Sequence, residues 1–78
     1  MKTMRISNRE LEVLELISRA FSTSEIAKEL FIGTETAKTH RKNLMAKMNT
    51  KNSAGLVRKG FEMGLLSLNV PQRLEIAS

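Results

Sequence analysis

Cysteine, tryptophan and tyrosine are absent from this 78-residue chain, which holds one histidine and one proline. Without cysteine, neither a disulfide bond nor a thiolate zinc site can stabilise the fold. His40 has no second imidazole to join it, so we expect no metal site and no cofactor. Three phenylalanines are the only aromatic residues, which argues against a stacking platform for single-stranded nucleic acid.

Long apolar runs are also absent, and none approaches the roughly 20 residues of a membrane-spanning helix. The basic start, Met1 to Arg5, leads into Glu10, Glu12 and Glu15 instead of the apolar core of a secretory signal. We therefore expect one cytoplasmic domain with no membrane partner. No nucleophile is paired with a base and no glycine-rich phosphate loop is present, so the sequence predicts neither an enzyme nor a small-molecule site.

Acidic residues are missing from one stretch, residues 38–59, although they are frequent before it. Residues 1–37 carry five basic and six acidic side chains, and residues 60–78 also sum to −1. The stretch between them contains seven cations, namely Lys38, Arg41, Lys42, Lys47, Lys51, Arg58 and Lys59. Such a block predicts a surface for a polyanion, and the alternative is a solvated basic helix face.

Apolar periodicity and capping residues predict helices over residues 8–19, 23–30, 35–49 and 53–64. Ser7 with Glu10, and Ser22 with Glu25, have the spacing of capping boxes. Gly33 permits a tight turn or a positive φ between the second and third helices, and the third helix is capped by Gly33 or Thr34. The fourth helix is capped by Asn52 or Ser53 and stops at Gly64, and we expect Met45, Met48 and Met63 to lie in the core.

Two short helices joined by a glycine-containing turn, with a basic second member, are typical of a helix-turn-helix. Lys38 and Lys42 are four residues apart and share one face of the third helix. Lysine can donate to guanine in the major groove, and the methyl group of Thr39 can contact a thymine methyl. The sequence therefore predicts an all-α fold that reads double-stranded DNA.

The chain also resembles a known family, the LuxR/FixJ/GerE-type DNA-binding domain. Residues 6–14 are similar to its opening pattern, Leu-Thr-x-Arg-Glu-x-Glu-Val-Leu. Residues 36–40, Thr-Ala-Lys-Thr-His, are similar to its recognition-helix motif Thr-Val-Lys-x-His. The resemblance extends over residues 6–66 through the scaffold-helix pattern Ser22-x-x-Glu25-Ile26-Ala27-x-x-Leu30 and the closing elements Lys47-Met48 and Gly64-Leu65-Leu66.

The resemblance implies a four-helix domain of the LuxR C-terminal effector type, with the third helix in the major groove. By position it implies base-edge or groove contacts from Lys38, Thr39 and Lys42. Arg41 lies in the same basic helix, and we count it among the DNA-binding residues. The positions that the resemblance implies face the DNA backbone are Thr36, His40, Lys47, Ser22, Thr23 and Ser24. Those on the expected dimer surface of the fourth helix are Val57, Gly60, Phe61 and Gly64.

This chain departs from the family pattern at three positions. Gly33 replaces a common serine cap, Ala37 replaces valine, and Ser53 stands where arginine is frequent. The last change removes one phosphate contact that the family pattern implies. The expected organisation is an N-terminal arm over residues 1–5, the DNA-binding domain over 6–66 and a tail over 67–78, either as a stand-alone domain or as an excised part of a longer protein.

The function we expect is sequence-specific binding of double-stranded DNA in transcriptional regulation, by a homodimer. The alternative is a protein-interaction module that docks on another regulator or on RNA polymerase, because a fold does not by itself dictate a function. In that case the apolar faces of the fourth helix and of residues 65–77 would carry the function.

Overall fold

The computed structural model describes residues 5–67, which form four α-helices and no strand. The helices are α1 (Asn8–Ser18), α2 (Thr23–Leu30), α3 (Thr34–Lys47) and α4 (Ser53–Glu62). The predicted all-α, four-helix fold is confirmed, with helix ends that differ by one or two residues from those expected. The arm before residue 5 and the tail beyond residue 67 lie outside the described residues.

Both predicted capping boxes are present and fix the starts of α1 and α2. The hydroxyl oxygen of Ser7 accepts from the Glu10 N–H at 3.0 Å, and the Glu10 carboxylate accepts from the Ser7 N–H at 3.0 Å. The same reciprocal pair joins Ser22 and Glu25 at the start of α2. Because each box satisfies two backbone donors that the helix leaves unpaired, the two short helices begin at defined residues.

The helices pack around α1, which contacts each of the other three, while α2 also packs on α3. Val13 and Leu14 of α1 are fully buried and meet Leu44 from α3 and Leu56 from α4 in one core. The remaining core residues are Leu16, Ile17, Ile26, Ala27, Ala37, Met48 and Leu66. This core holds α3 against α1 and α2 through one of its faces only, so its opposite face reaches solvent.

All four helices end in the same hydrogen-bond pattern, the Schellman motif. After α2, for example, the Ile32 N–H donates to the Ala27 carbonyl at 3.0 Å and the Phe31 N–H to the Lys28 carbonyl at 3.3 Å. The motif needs one left-handed residue, and the four are Ala20, Phe31, Asn49 and Gly64. Only the last is glycine, so three turns adopt this conformation with a side chain in place.

Two details of the expected helix ends are corrected by the backbone. Gly33 is the N-cap of α3, as one of the two expected candidates, but its φ is −71°. The positive φ of the turn falls on Phe31 instead, at +57°. Helix α4 ends at Glu62, before the predicted residue 64, and Gly64 takes the left-handed position two residues later.

The methionines divide between the core and the surface. Met48 is fully buried, as expected, and Met45 is half-buried against the core. Met63 was expected in the core but is 43% exposed. The reason is that α4 has already ended when the chain reaches Met63, so this residue no longer follows the buried stripe of the helix.

Candidate nucleic-acid interface

The exposed face of α3 carries the side chains that were predicted to read DNA. Lys38, Thr39 and Lys42 are all exposed, while Ala37 and Leu44 of the same helix are buried. The Lys38 ammonium lies 3.3 Å from the carboxylate of Glu35, which is one turn earlier and well exposed. This pair is held only by its own helix, so it leaves the lysine available to another anion.

Thr39 uses its hydroxyl within the helix. Its Oγ1 donates to the Glu35 carbonyl at 3.0 Å, a backbone contact common for threonine in helices. The hydroxyl donor is therefore occupied, and the methyl group is the part of this exposed side chain that remains for an apolar contact. That arrangement fits the predicted contact with a thymine methyl.

A cleft of about 250 Å³ joins the start of α2 to the exposed face of α3. Its lining residues are Thr23, Lys38, Arg41, Lys42 and Met45. Three cations therefore meet beside the N-terminus of an eight-residue helix, whose dipole places partial positive charge at the same end. The structure thus brings Thr23 together with the basic residues of α3, although they come from separate segments of the sequence.

Arg41 is fixed by a contact that the sequence did not reveal. Its Nη2 donates to the hydroxyl oxygen of Ser53, the first residue of α4. Ser53 had been interpreted as the loss of a phosphate contact, and in the structure it holds the arginine of the neighbouring helix. The half-buried Arg41 side chain is therefore positioned beside the cleft and linked to α4.

The residues expected to face the DNA backbone are divided in their environment. Thr36, Ser22 and Ser24 are exposed, and His40 is half-buried. The hydroxyl oxygen of Ser22 also caps α2.

Within residues 5–67, no three histidine, cysteine or carboxylate side chains are grouped so that they could hold a metal ion.

Lys47 differs from the other two lysines on the face of α3, Lys38 and Lys42, because its ammonium contacts residues outside the helix. It lies 2.7 Å from the carboxylate of Glu10 and donates to the Arg5 carbonyl at 2.9 Å. The Glu10 side chain is only 7% exposed. Burial alone would raise the pKa of Glu10, but the hydrogen bonds from Lys47 and the Ser7 backbone outweigh it and hold this pKa below its usual value.

The expected dimer surface is also revised. Val57 is half-buried, and Phe61 and Gly64 are exposed, so these three positions are open to a partner. Gly60 is not, because it is buried inside its own chain. A Cβ atom added there would lie 2.8 Å from Leu66 Cδ1 and 3.3 Å from Leu14 Cδ2, so Gly60 is needed for close packing within the domain.

A basic helix exposed on one face, braced by a shorter helix through a tight turn, defines a helix-turn-helix DNA-binding domain. The sequence matches the family described as bacterial regulatory proteins, luxR family, over residues 4–59. The chain therefore belongs to the luxR family, a family of DNA-binding transcription regulators and not of enzymes.

Individual relatives agree with this assignment. The chain is 38% identical to the oxygen regulatory protein NreC of Staphylococcus carnosus over 61 residues, which are 78% of the chain and 28% of that relative. It is 42% identical to the transcriptional regulatory protein MctR of Rhizobium johnstonii over 62 residues, 80% of the chain and 29% of the relative. The chain thus spans less than a third of the length of these curated relatives.

Solved structures show the same fold. The transcription factor GerE superposes with a TM-score of 0.75 at 26% identity, covering 85% of this chain and 97% of GerE. The response regulator ChrA of a heme-sensing two-component system gives a TM-score of 0.79 at 26% identity, over 85% of this chain and 33% of ChrA.

Among the helices that the structure describes, none is long and apolar enough to cross a membrane.

Proposed function

We propose that this chain binds double-stranded DNA in a sequence-specific manner, with α3 in the major groove. The observation that carries the proposal is the cleft in which Lys38, Arg41 and Lys42 meet the N-terminus of α2. A helix of this kind fits the major groove, and its first turns contact base edges. In this role Lys38, Thr39 and Lys42 read bases, while Ser22, Thr23, Ser24, Thr36 and His40 face the phosphates.

Arg41 and Lys47 have different roles in this proposal. Arg41 is held by Ser53 at the edge of the cleft, where a guanidinium is suited to a phosphate. Lys47 pairs with a buried carboxylate, so its charge is already neutralised before DNA arrives. We therefore assign most of the phosphate attraction to the first half of α3, and only a minor part to Lys47.

The experiment is a fluorescence-anisotropy titration on duplexes obtained by in vitro selection with the purified chain. The Lys42→Ala variant should lose discrimination between selected and scrambled duplexes because it removes a base contact. Arg41→Ala removes a phosphate contact, so its salt slope, log Kd against log salt, should fall by roughly 0.9. Lys28→Ala removes the same charge from α2, outside the basic block, and serves as the matched control. Absence of duplex binding at low salt would refute the proposal.

We also propose that two copies pair through α4 when bound to DNA. The support is an apolar surface on which Phe61 is 37% exposed beside the half-buried Val57 and the exposed Gly64. Sedimentation of the chain with duplexes holding one or two half-sites tests this pairing, and Phe61→Ser should weaken it. If α4 instead docks on another regulator or on RNA polymerase, adding that partner should shift the NMR resonances of α4. Adding DNA should then leave the resonances of α3 unchanged.

A further inference from the structure

Phe31 presents its side chain to solvent almost completely. It is 94% exposed, whereas Phe61 is 37% exposed and Phe21 packs against the core. Its neighbours Leu30 and Ile32 are both partly buried against that core. Core packing therefore gives no reason for an aromatic residue at this position, between two residues that do serve the core.

The backbone gives no reason for it either. Phe31 is the left-handed residue of the Schellman motif that ends α2, with φ 57° and ψ 46°. Glycine adopts this conformation without penalty, and a bulky side chain disfavours it. The turn thus accepts a residue whose backbone conformation is disfavoured and whose ring gains almost no stabilisation from burial.

The position of Phe31 suggests what the ring contacts. It lies two residues before Gly33, the N-cap of α3, and the following residues Thr34 and Glu35 are exposed. When the N-terminal turns of a recognition helix enter the major groove, the turn before that helix lies beside the same stretch of DNA. Apolar groups are available there on thymine methyls and on the deoxyribose rings.

We propose that Phe31 is a DNA-contacting residue whose ring packs on an apolar group of the duplex, a thymine methyl or a deoxyribose, next to the groove that α3 enters. The contact adds apolar attraction to a site whose other contacts, apart from the Thr39 methyl group, are charged or polar. This inference rests on the proposed function and extends its site from α3 into the preceding turn.

The test is the Phe31→Gly variant in the same anisotropy titration on the selected duplex. Its fold should be kept, with a thermal midpoint equal to or above that of the unaltered protein, since glycine suits the left-handed position. Its affinity should fall by roughly tenfold, as expected for losing one well-packed apolar group. Its salt slope should stay unchanged because no ionic contact is removed, in contrast to the lower slope expected for Arg41→Ala.

Two further variants control for the backbone. Ala20→Gly places glycine at the left-handed residue that ends α1 and should leave affinity within twofold. Phe31→Asn keeps a residue that tolerates the left-handed conformation but removes the ring, and it should bind as weakly as Phe31→Gly. If Phe31→Asn binds as tightly as the unaltered protein, the contact is not made by the ring and the proposal fails.

Replacing thymines by uracil, one at a time, distinguishes the two apolar partners. For a thymine methyl, one replacement should weaken binding by the unaltered protein but not by Phe31→Gly. For a deoxyribose, any replacement that weakens the unaltered protein, such as one at the thymine facing Thr39, should weaken Phe31→Gly as well. If the unaltered protein binds DNA and Phe31→Gly binds it equally tightly, this inference is overturned and the proposed function stands. The exposed ring would then be available to a protein partner. Failure of the unaltered protein to bind any duplex overturns the proposed function as well.

Discussion

Both ends of α3 carry a lysine, but the two ammonium groups contact different partners. Near the start of the helix, Lys38 pairs only with Glu35 of its own helix, and both side chains are well exposed. At the end, Lys47 contacts a buried carboxylate on α1 and a backbone carbonyl ahead of α1. One continuous basic block in the sequence therefore contains two kinds of lysine, one available to an external anion and one used by the fold.

The difference follows from where each partner lies. An exposed ion pair is screened by water and salt and contributes little, whereas a buried carboxylate that loses its cation keeps the full cost of its burial. Glu10 also accepts from the Ser7 N–H, so the same carboxylate caps α1 and anchors α3. The C-terminal end of α3 is thus held against α1 and the residue Arg5 before it, while the N-terminal part of α3 is available to bind a ligand.

The largest expected effect is the loss of stability when the buried pair is broken. Lys47→Ala leaves Glu10 without its cation, so the free energy of unfolding should fall by about 2 kcal/mol. Lys38→Ala removes an exposed lysine from the same helix and should change it by less than about 0.5 kcal/mol. Urea denaturation followed by circular dichroism measures both, and equal losses for the two variants would contradict the distinction.

The same pair should make stability depend on pH. Because the pKa of folded Glu10 is below its value in the unfolded chain, the unfolded state binds this proton first as pH falls. The stabilisation is therefore complete above the unfolded value, about 4.3, and is lost as pH falls through the lower folded value. Glu10→Gln should be less stable at pH 7 and should lose less stability between pH 5 and pH 3 than the unaltered protein. An identical acid dependence in both proteins would show that Glu10 is not the group responsible.

Local patterns in the sequence predicted the helices well. Both capping boxes join residues three positions apart, so their spacing is readable without knowledge of the fold. The sequence allowed either a tight turn or a positive φ at Gly33, and the structure places the positive φ on Phe31 instead. Hydrogen bonds of the Schellman motif fix that residue, and residue preference alone could not identify it.

Contacts between distant segments were not predictable in the same way. Glu10 and Lys47 are 37 positions apart, and no sequence pattern around either residue predicts that they form a pair. Gly60 was placed on the dimer surface by the family resemblance, since a glycine on one side of a helix allows a second helix to approach closely. Its burial follows from Leu66, which comes back over α4 after the helix has ended and fills the space that a Cβ atom would need.

The smallest expected effect concerns the exposed pair at the start of α3. A double-mutant cycle between Lys38→Ala and Glu35→Gln should give a coupling energy of less than about 0.5 kcal/mol, well below that of the Lys47 and Glu10 cycle.

Glu35→Gln also removes a negative charge beside the proposed DNA surface, so it should tighten duplex binding by roughly twofold at low salt and less at high salt. Glu12→Gln, which removes an exposed carboxylate from α1, is the matched control. Weaker binding by Glu35→Gln would mean that Lys38 depends on this carboxylate for its position, and the start of α3 would then be held by the fold as its end is.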